Sequence, residues 1–257
     1  MKADLWGQTK GGDTPLICTP LVGRTRERLL AEVAGILAKK PDLFEWRADY
    51  FDAIGETAAV LDTARALRAA VGKRPVIFTC RSTGAGGQSI AIGMDKVVDL
   101  YEAVASSRLV DFVDYELDND PRNVRRVRDG ARASEVRLIL SYHNLAYTPE
   151  VGYMVERFLE AERQGADVAM VQVMPRDRID VLALLYAIAK ADAKTRIPLY
   201  GVSLGPLGSV TRMIGGLFGS CLSYAVGENA SAPGQVPIGE LVSVFDVLRR
   251  SRGGEML

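Results

Sequence analysis

The chain has 257 residues, of which 48% are apolar and 25% charged, a balance that fits a globular fold and excludes disordered and fibrous classes. Lys plus Arg and Asp plus Glu both number 32, so no global field draws the protein toward nucleic acid or an anionic membrane, and any anion has to be bound locally. Cys18, Cys80 and Cys221 are odd in number, far apart and set in apolar runs, which suits buried thiols in a reducing compartment and provides no metal-ligand spacing.

At the N-terminus, "ADLWGQTKGGDT" places turn residues after an apolar patch and is expected to form a short hairpin over a barrel floor. The opening lacks the apolar core of a signal peptide, and no apolar run approaches the roughly 20 residues of a membrane helix, so a cytoplasmic protein is expected.

From there β-branched apolar runs alternate with longer segments of helical periodicity. The predicted strands are "LICTPL" (16–21), "LFEWR" (43–47), "VIFTCR" (76–81), "VDFVDYEL" (110–117), "VRLILSYH" (136–143), "DVAMVQVM" (167–174), "LYGVSL" (199–204) and "LSYAV" (222–226). Between them lie "RTRERLLAEVAGILAKK", "AVLDTARALRAAV", "MDKVVDLYEAVASS", "EVGYMVERFLEAERQ" and "DVLALLYAIAKA", and "GELVSVFDVLRRS" ends the series. Strand and helix pairs about thirty residues apart predict an α/β protein, a single (β/α)8 TIM barrel spanning 1–257, with an open doubly wound sheet as the alternative.

Strand parity then sorts the polar residues. With Phe44 and Trp46 turned to the helices, Glu45 and Arg47 face inward; with Val76, Phe78 and Cys80 outward, Thr79 and Arg81 face inward; Ser141 and His143 follow on the fifth strand. Glu45, Arg47, Arg81 and His143 therefore meet at the C-terminal ends of three strands, where barrel enzymes place their active sites. His143 is the only histidine of the chain. After the seventh strand, "GPLGSVTR" sets glycines and a helix N-terminus near Arg212, a usual way to hold an anion. After the eighth, "SAPGQ" carries Ser231 and Gln235 in a segment that reads either as an ordinary turn or as a loop closing the mouth. On the sixth strand Met170 and Gln172 face inward; a methionine there reads first as packing.

With these residues in place the chain resembles the type I 3-dehydroquinate dehydratases, the Schiff-base-forming class of the shikimate pathway. The likeness runs from about Pro15 to Arg250 and rests on "EWRADYF", "TCRSTGAGG", "YHNLAYTP", "GADVAMVQVMP", "GVSLGPLGSVTR" and "ASAPGQ", in order. It implies a lyase that converts 3-dehydroquinate to 3-dehydroshikimate and water through a lysine iminium, with no metal and no cofactor. By position, Glu45, Arg47 and Arg81 match residues that hold the substrate hydroxyls and order the site. Arg212 matches the arginine that pairs with the substrate carboxylate, Ser231 and Gln235 the closing loop, and His143 the general acid/base. The implied partner is a small cyclic polyhydroxy carboxylate, with no nucleic acid and no membrane. A homodimer is common among such barrels, though the helical periodicity here reveals no exposed stripe that demands one.

This sequence departs from the family where the chemistry is centred. The Schiff-base lysine falls at Met170, and the small residue two places on, usually alanine, falls at Gln172. A methionine nearly matches lysine in length but has no amine to attack a carbonyl, so the covalent route is expected to be abolished or severely impaired while ligand binding is retained. His143 alone contributes on the order of 10² to 10⁴ in rate. Many relatives also carry a glutamate on the third-strand loop that orients the histidine, where this chain has Ala85.

Three readings stay open at this stage: a family barrel that binds its substrate with catalysis lost, a noncatalytic binding or sensor protein for quinate, shikimate or dehydroshikimate, and a non-Schiff-base elimination run by His143 and Glu45. An isosteric exchange chosen to remove the chemistry fits Met170. A drifted lineage fits the altered neighbours Gln172 and Ala85, with Gln172 placed to donate to a ligand ketone.

Overall fold

The computed structural model describes residues 14–229 and 231–252; the expected N-terminal hairpin lies outside them. Eight parallel strands, β1 (Leu16–Leu21), β2 (Leu43–Arg47), β3 (Val76–Thr79), β4 (Phe112–Glu116), β5 (Arg137–Asn144), β6 (Val168–Val173), β7 (Leu199–Ser203) and β8 (Leu222–Val226), are ordered 7-6-5-4-3-2-1-8, and β9 (Val236–Pro237) adds a short pairing to β8. A bridge between Leu199 and Ser220, with Cys221 N donating to Leu199 O at 2.8 Å, brings β7 to β8. The ends of the sheet meet, so the architecture is the (β/α)8 barrel and not the open doubly wound sheet.

The helices are α1 (Arg26–Leu37), α2 (Thr57–Val71), α3 (Met94–Ser107), α4 (Pro121–Ala133), α5 (Val151–Arg163), α6 (Arg178–Asp192), the short α7 (Gly205–Gly208) and α8 (Val210–Ile214), and α9 (Ile238–Arg252). Local chemistry sets several of their starts. Asp120 and Asp177 accept from backbone N–H groups in the first turns of α4 and α6, and Pro121 occupies the first helical position of α4, where its missing N–H is not needed. The periodicity passes over α4 because its buried stripe is a single file, Val124, Val127 and Ala131, on a helix otherwise made of arginine and polar residues.

A repeated aspartate sets the strand register. Asp42, Asp111 and Asp167 each stand one residue before β2, β4 and β6, and each carboxylate accepts from a backbone N–H at the start of the preceding strand: Ile17 at 2.8 Å, Val76 at 2.7 Å and Leu138 at 2.8 Å. These bonds satisfy ladder donors that a staggered barrel leaves unpaired at its floor.

The core divides into two shells. Outside the sheet, the helix-facing residues of the strands join the apolar faces of the helices around Phe44, Trp46, Phe78 and Leu140. Inside, Leu16, Leu43, Ile77, Phe112, Ile139 and Val168 fill the lower barrel, so polar inward residues are confined to the upper layers. Edge-to-face contacts run from Trp46 through Phe78 and Tyr101 to Tyr115, with centroids 5.5, 5.4 and 5.2 Å apart. The Tyr101 hydroxyl donates to Asp114 O at 2.7 Å and accepts from Cys80 N at 2.8 Å. It thereby pins β3 to β4 directly behind two of the polar side chains that face the mouth.

Among the described residues no helix is long and apolar enough to cross a membrane. One expectation is corrected here: α6 does carry an exposed apolar stripe, Ile179, Leu182 and Tyr186. The helix also buries Val181, Leu184, Leu185 and Ile188 on its other side, so it is apolar nearly all round and its sequence period does not distinguish the solvent face.

Candidate active site

The strand ends and the following loops enclose a cavity of about 180 Å³ at the C-terminal face of the barrel. Glu45, Arg47, Arg81, His143, Met170, Gln172, Arg212, Ser231 and Gln235 all line it. The alternation of β2, β5 and β6, and its continuation two residues past β3 to Arg81, turns the first six of these inward; the short α8 delivers Arg212, and the loop after β8 delivers Ser231 and Gln235.

On the β2–β4 side every charge has a protein partner. Arg47 forks onto Asp49 through Nε at 2.9 Å and Nη2 at 2.8 Å. Arg81 forks onto Asp114 at 3.2 and 2.8 Å and donates from Nη1 to Ser141 Oγ at 2.8 Å, while Ser141 donates to Asp114 at 2.6 Å. Glu116 stands 3.8 Å from Arg81 and accepts from Ser82 N at 2.8 Å and Ser82 Oγ at 2.7 Å. Planar bidentate pairs of this kind fix both position and orientation. Burial works against the charge on Arg47 and Arg81, but their aspartates hold both guanidinium groups firmly protonated. Burial pushes the Glu45 carboxyl up, against the pull of Arg47 and Arg81, and Thr79 Oγ1 donates to it at 2.8 Å.

The β5–β8 side is organised differently. Both ring nitrogens of His143 are shielded from solvent and have no hydrogen-bond partner among the described residues. Burial holds the imidazole well below its ordinary pKa, with Arg81 and Arg47 pushing the same way, so the ring is neutral. Ala85, buried in the cavity wall near it, has no side-chain group to orient the ring. Met170 is buried and packs with Val202, Leu204 and Tyr224 of the inner shell. No lysine lines this cavity among the described residues.

Arg212 is 3% exposed and forms no ion pair with an acidic group among the described residues. Its Nη2 reaches only Pro233 O at 3.4 Å, Nε has no partner, and burial pulls the group down to about 10. It therefore stays charged at neutral pH and has capacity for an anion. The expected helix N-terminus contributes less than the sequence suggests: α7 and α8 are one-turn helices with Arg212 inside the second, so anion capacity rests on the guanidinium.

The loop after β8 is seated over this side. Gln235 Oε1 accepts from Ser231 N at 3.0 Å, and Gln235 Nε2 donates to Ser231 Oγ at 3.3 Å. Gly205 N donates to Pro233 O at 3.3 Å. Gly234 adopts φ +77°, and a Cβ there would lie 2.2 Å from Gly205 O, so this contact requires glycine on both counts.

Sequence reasoning missed Asp49, Asp114, Glu116 and Tyr224. The last three stand at inward positions of β4 and β8, so the parity argument that selected Glu45 and Arg81 also selects them. Asp49 lies in a turn after β2 and has no comparable signal. Its carboxylate accepts from Arg81 N at 3.3 Å and Gln88 N at 3.0 Å as well as from Arg47.

The family model described as type I 3-dehydroquinase matches residues 17–252. A 3-dehydroquinate dehydratase of Albidiferax ferrireducens is 48% identical over 95% of this chain and 92% of its own length. A crystal structure of the 3-dehydroquinate dehydratase from Geobacillus kaustophilus superposes with a TM-score of 0.90 at 42% identity, over 91% of both chains. That of the type I enzyme from Clostridium difficile, described with covalently modified comenic acid, reaches 0.89 at 31% identity over 94% of both. By the extent of these matches, this barrel with its arginine-lined mouth belongs to the type I 3-dehydroquinase family.

Proposed function

We propose that this chain binds 3-dehydroquinate or a close cyclic polyhydroxy carboxylate in the barrel mouth and that it turns such a ligand over weakly or not at all, because Met170 stands where the family's nucleophile is expected. The observation that carries this reading is the pairing of Met170 with Arg212. The cavity retains a buried, acid-free cation suited to a carboxylate, and it lacks an amine among its described lining residues.

In this reading Arg212 takes the carboxylate with charge-assisted hydrogen bonds. Glu45 accepts from ring hydroxyls, Arg47 and Arg81 order that side of the site, and Ser231 with Gln235 closes over the ligand. His143, neutral, exchanges hydrogen bonds with the ligand. It removes a proton slowly at best, because no iminium is present to accept the electron pair and no carboxylate fixes its tautomer. A noncatalytic sensor for quinate, shikimate or dehydroshikimate rests on the same pairing and differs in having no turnover at all.

The test is to add 3-dehydroquinate to the purified protein, follow the enone absorbance of dehydroshikimate, and take intact masses after borohydride reduction. Neither product nor adduct is expected, alongside measurable binding by calorimetry. Met170→Lys is expected to restore both the adduct and dehydration if the rest of the site retains its family geometry; an unresponsive Met170→Lys chain favours the sensor. Product without an adduct would overturn the reading and assign His143 and Glu45 a noncovalent elimination.

A further inference from the structure

His143 and Gln172 are register partners on neighbouring parallel strands, and both line the cavity. Neither side chain has a hydrogen-bond partner among the described residues. Their surroundings are apolar: Met170 lies one strand repeat below Gln172, Val202 is the register partner of Gln172 on β7, and Leu204 follows it. The two side chains form a small polar patch in an otherwise oily wall, opposite the side where the arginines and acids satisfy one another.

The hydrogen-bonding valence of this patch is mixed. Burial keeps His143 neutral, and a neutral imidazole carries one donor and one acceptor; the Gln172 amide supplies an NH₂ and a carbonyl. A ketone oxygen accepts only. Set between these two groups it uses their donors and leaves the imidazole nitrogen and the amide oxygen of the half-buried Gln172 without a ligand partner, a cost on the scale of an unmade hydrogen bond. A hydroxyl accepts from both donors on its two lone pairs and gives its own proton to one of the two acceptors, so it satisfies one more of these groups than a ketone does.

Resting on the reading that Arg212 takes the ligand carboxylate, we infer that this wall selects a cyclic polyhydroxy carboxylate bearing an alcohol, in preference to a ketone, at the carbon that lies against His143 and Gln172, and that Gln172 sets the preference. The family's usual alanine at this position offers neither donor nor acceptor. The two departures of the sixth strand then act together, Met170 removing the amine that consumes a ketone and Gln172 adding the amide that matches a hydroxyl.

The experiment is calorimetric titration of the whole chain with quinate and with 3-dehydroquinate, which differ only in having an alcohol or a ketone at C3. Quinate is expected to bind about 10-fold tighter or more, the scale set by an unmade buried hydrogen bond. In Gln172→Ala the ratio is expected to fall to within about twofold, whereas Arg212→Ala weakens both ligands alike. Equal binding of the two, tighter binding of the ketone, or a ratio unchanged in Gln172→Ala overturns the preference and leaves the underlying reading intact. Binding of neither ligand to the native chain overturns the underlying reading, and the preference with it.

Discussion

The two sides of the barrel mouth differ in how their polar groups are satisfied. On the β2–β4 side Arg47, Arg81, Asp49, Asp114 and Ser141 bond one another. On the β5–β8 side His143 and Gln172 have no hydrogen-bond partner among the described residues, and Arg212 has only a weak carbonyl contact there and no acid. Buried polar groups are normally paired; the first side meets that rule from within the protein, and His143 and Arg212 on the second do not among the described residues. Charge by itself does not mark a binding residue: three arginines line the same cavity, and only Arg212 among the described ones lacks an acid.

That contrast can be broken at either side, and the effects are of different kinds. The largest is expected from Asp114→Ala, which strands the buried guanidinium of Arg81. Removing one partner of such a pair destabilises by about 3 to 5 kcal/mol, to be read as a lower urea midpoint; an unchanged midpoint would show that Glu116 and Ser141 suffice. Arg212→Ala is expected to act oppositely. Stability holds or rises because an unpaired buried cation is removed, while affinity for cyclic carboxylates falls by about 2 to 5 kcal/mol. Affinity within twofold of the native value would mean that the carboxylate is bound elsewhere.

A smaller effect is expected at the closing loop. Gly234→Ala introduces a Cβ against Gly205 O in a left-handed conformation, a strain of about 1 to 3 kcal/mol. The loop relieves this strain by leaving its seat on Gly205, so the effect should appear as faster ligand release in stopped-flow with a urea midpoint lowered by less than the full strain; unchanged release would detach the loop from ligand retention. The smallest effect concerns pH. The His143 pKa is depressed in the folded state relative to its ordinary value of 6.5, so the unfolded chain binds a proton first. The stability this contributes is present above about pH 6.5 and is lost as pH falls through and below that value. Native Tm should drop more steeply than that of His143→Asn between pH 7.5 and 5; parallel curves would place a protonated histidine in the folded site.

Much of the fold and of the site's membership was legible in the sequence. The strands and the inward parity of Glu45, Arg47, Arg81, His143, Met170 and Gln172 follow from a period of two, a local property. The segment assignments err where local signals are weakest: "VIFTCR" leaves the ladder after Thr79, and α4 hides behind its arginines. The exposed stripe of α6 was not legible because burial on one side and exposure on the other use the same residue types.

Parity and motif order thus determined the barrel and the family from the chain alone, since each depends on residues a few places apart or on their order. Only the tertiary structure decided which of the inward polar groups already have partners. Arg81 and Asp114 are 33 residues apart and Arg212 reaches Pro233 across 21. Whether a buried charge is satisfied depends on which distant segments the closed sheet brings to it.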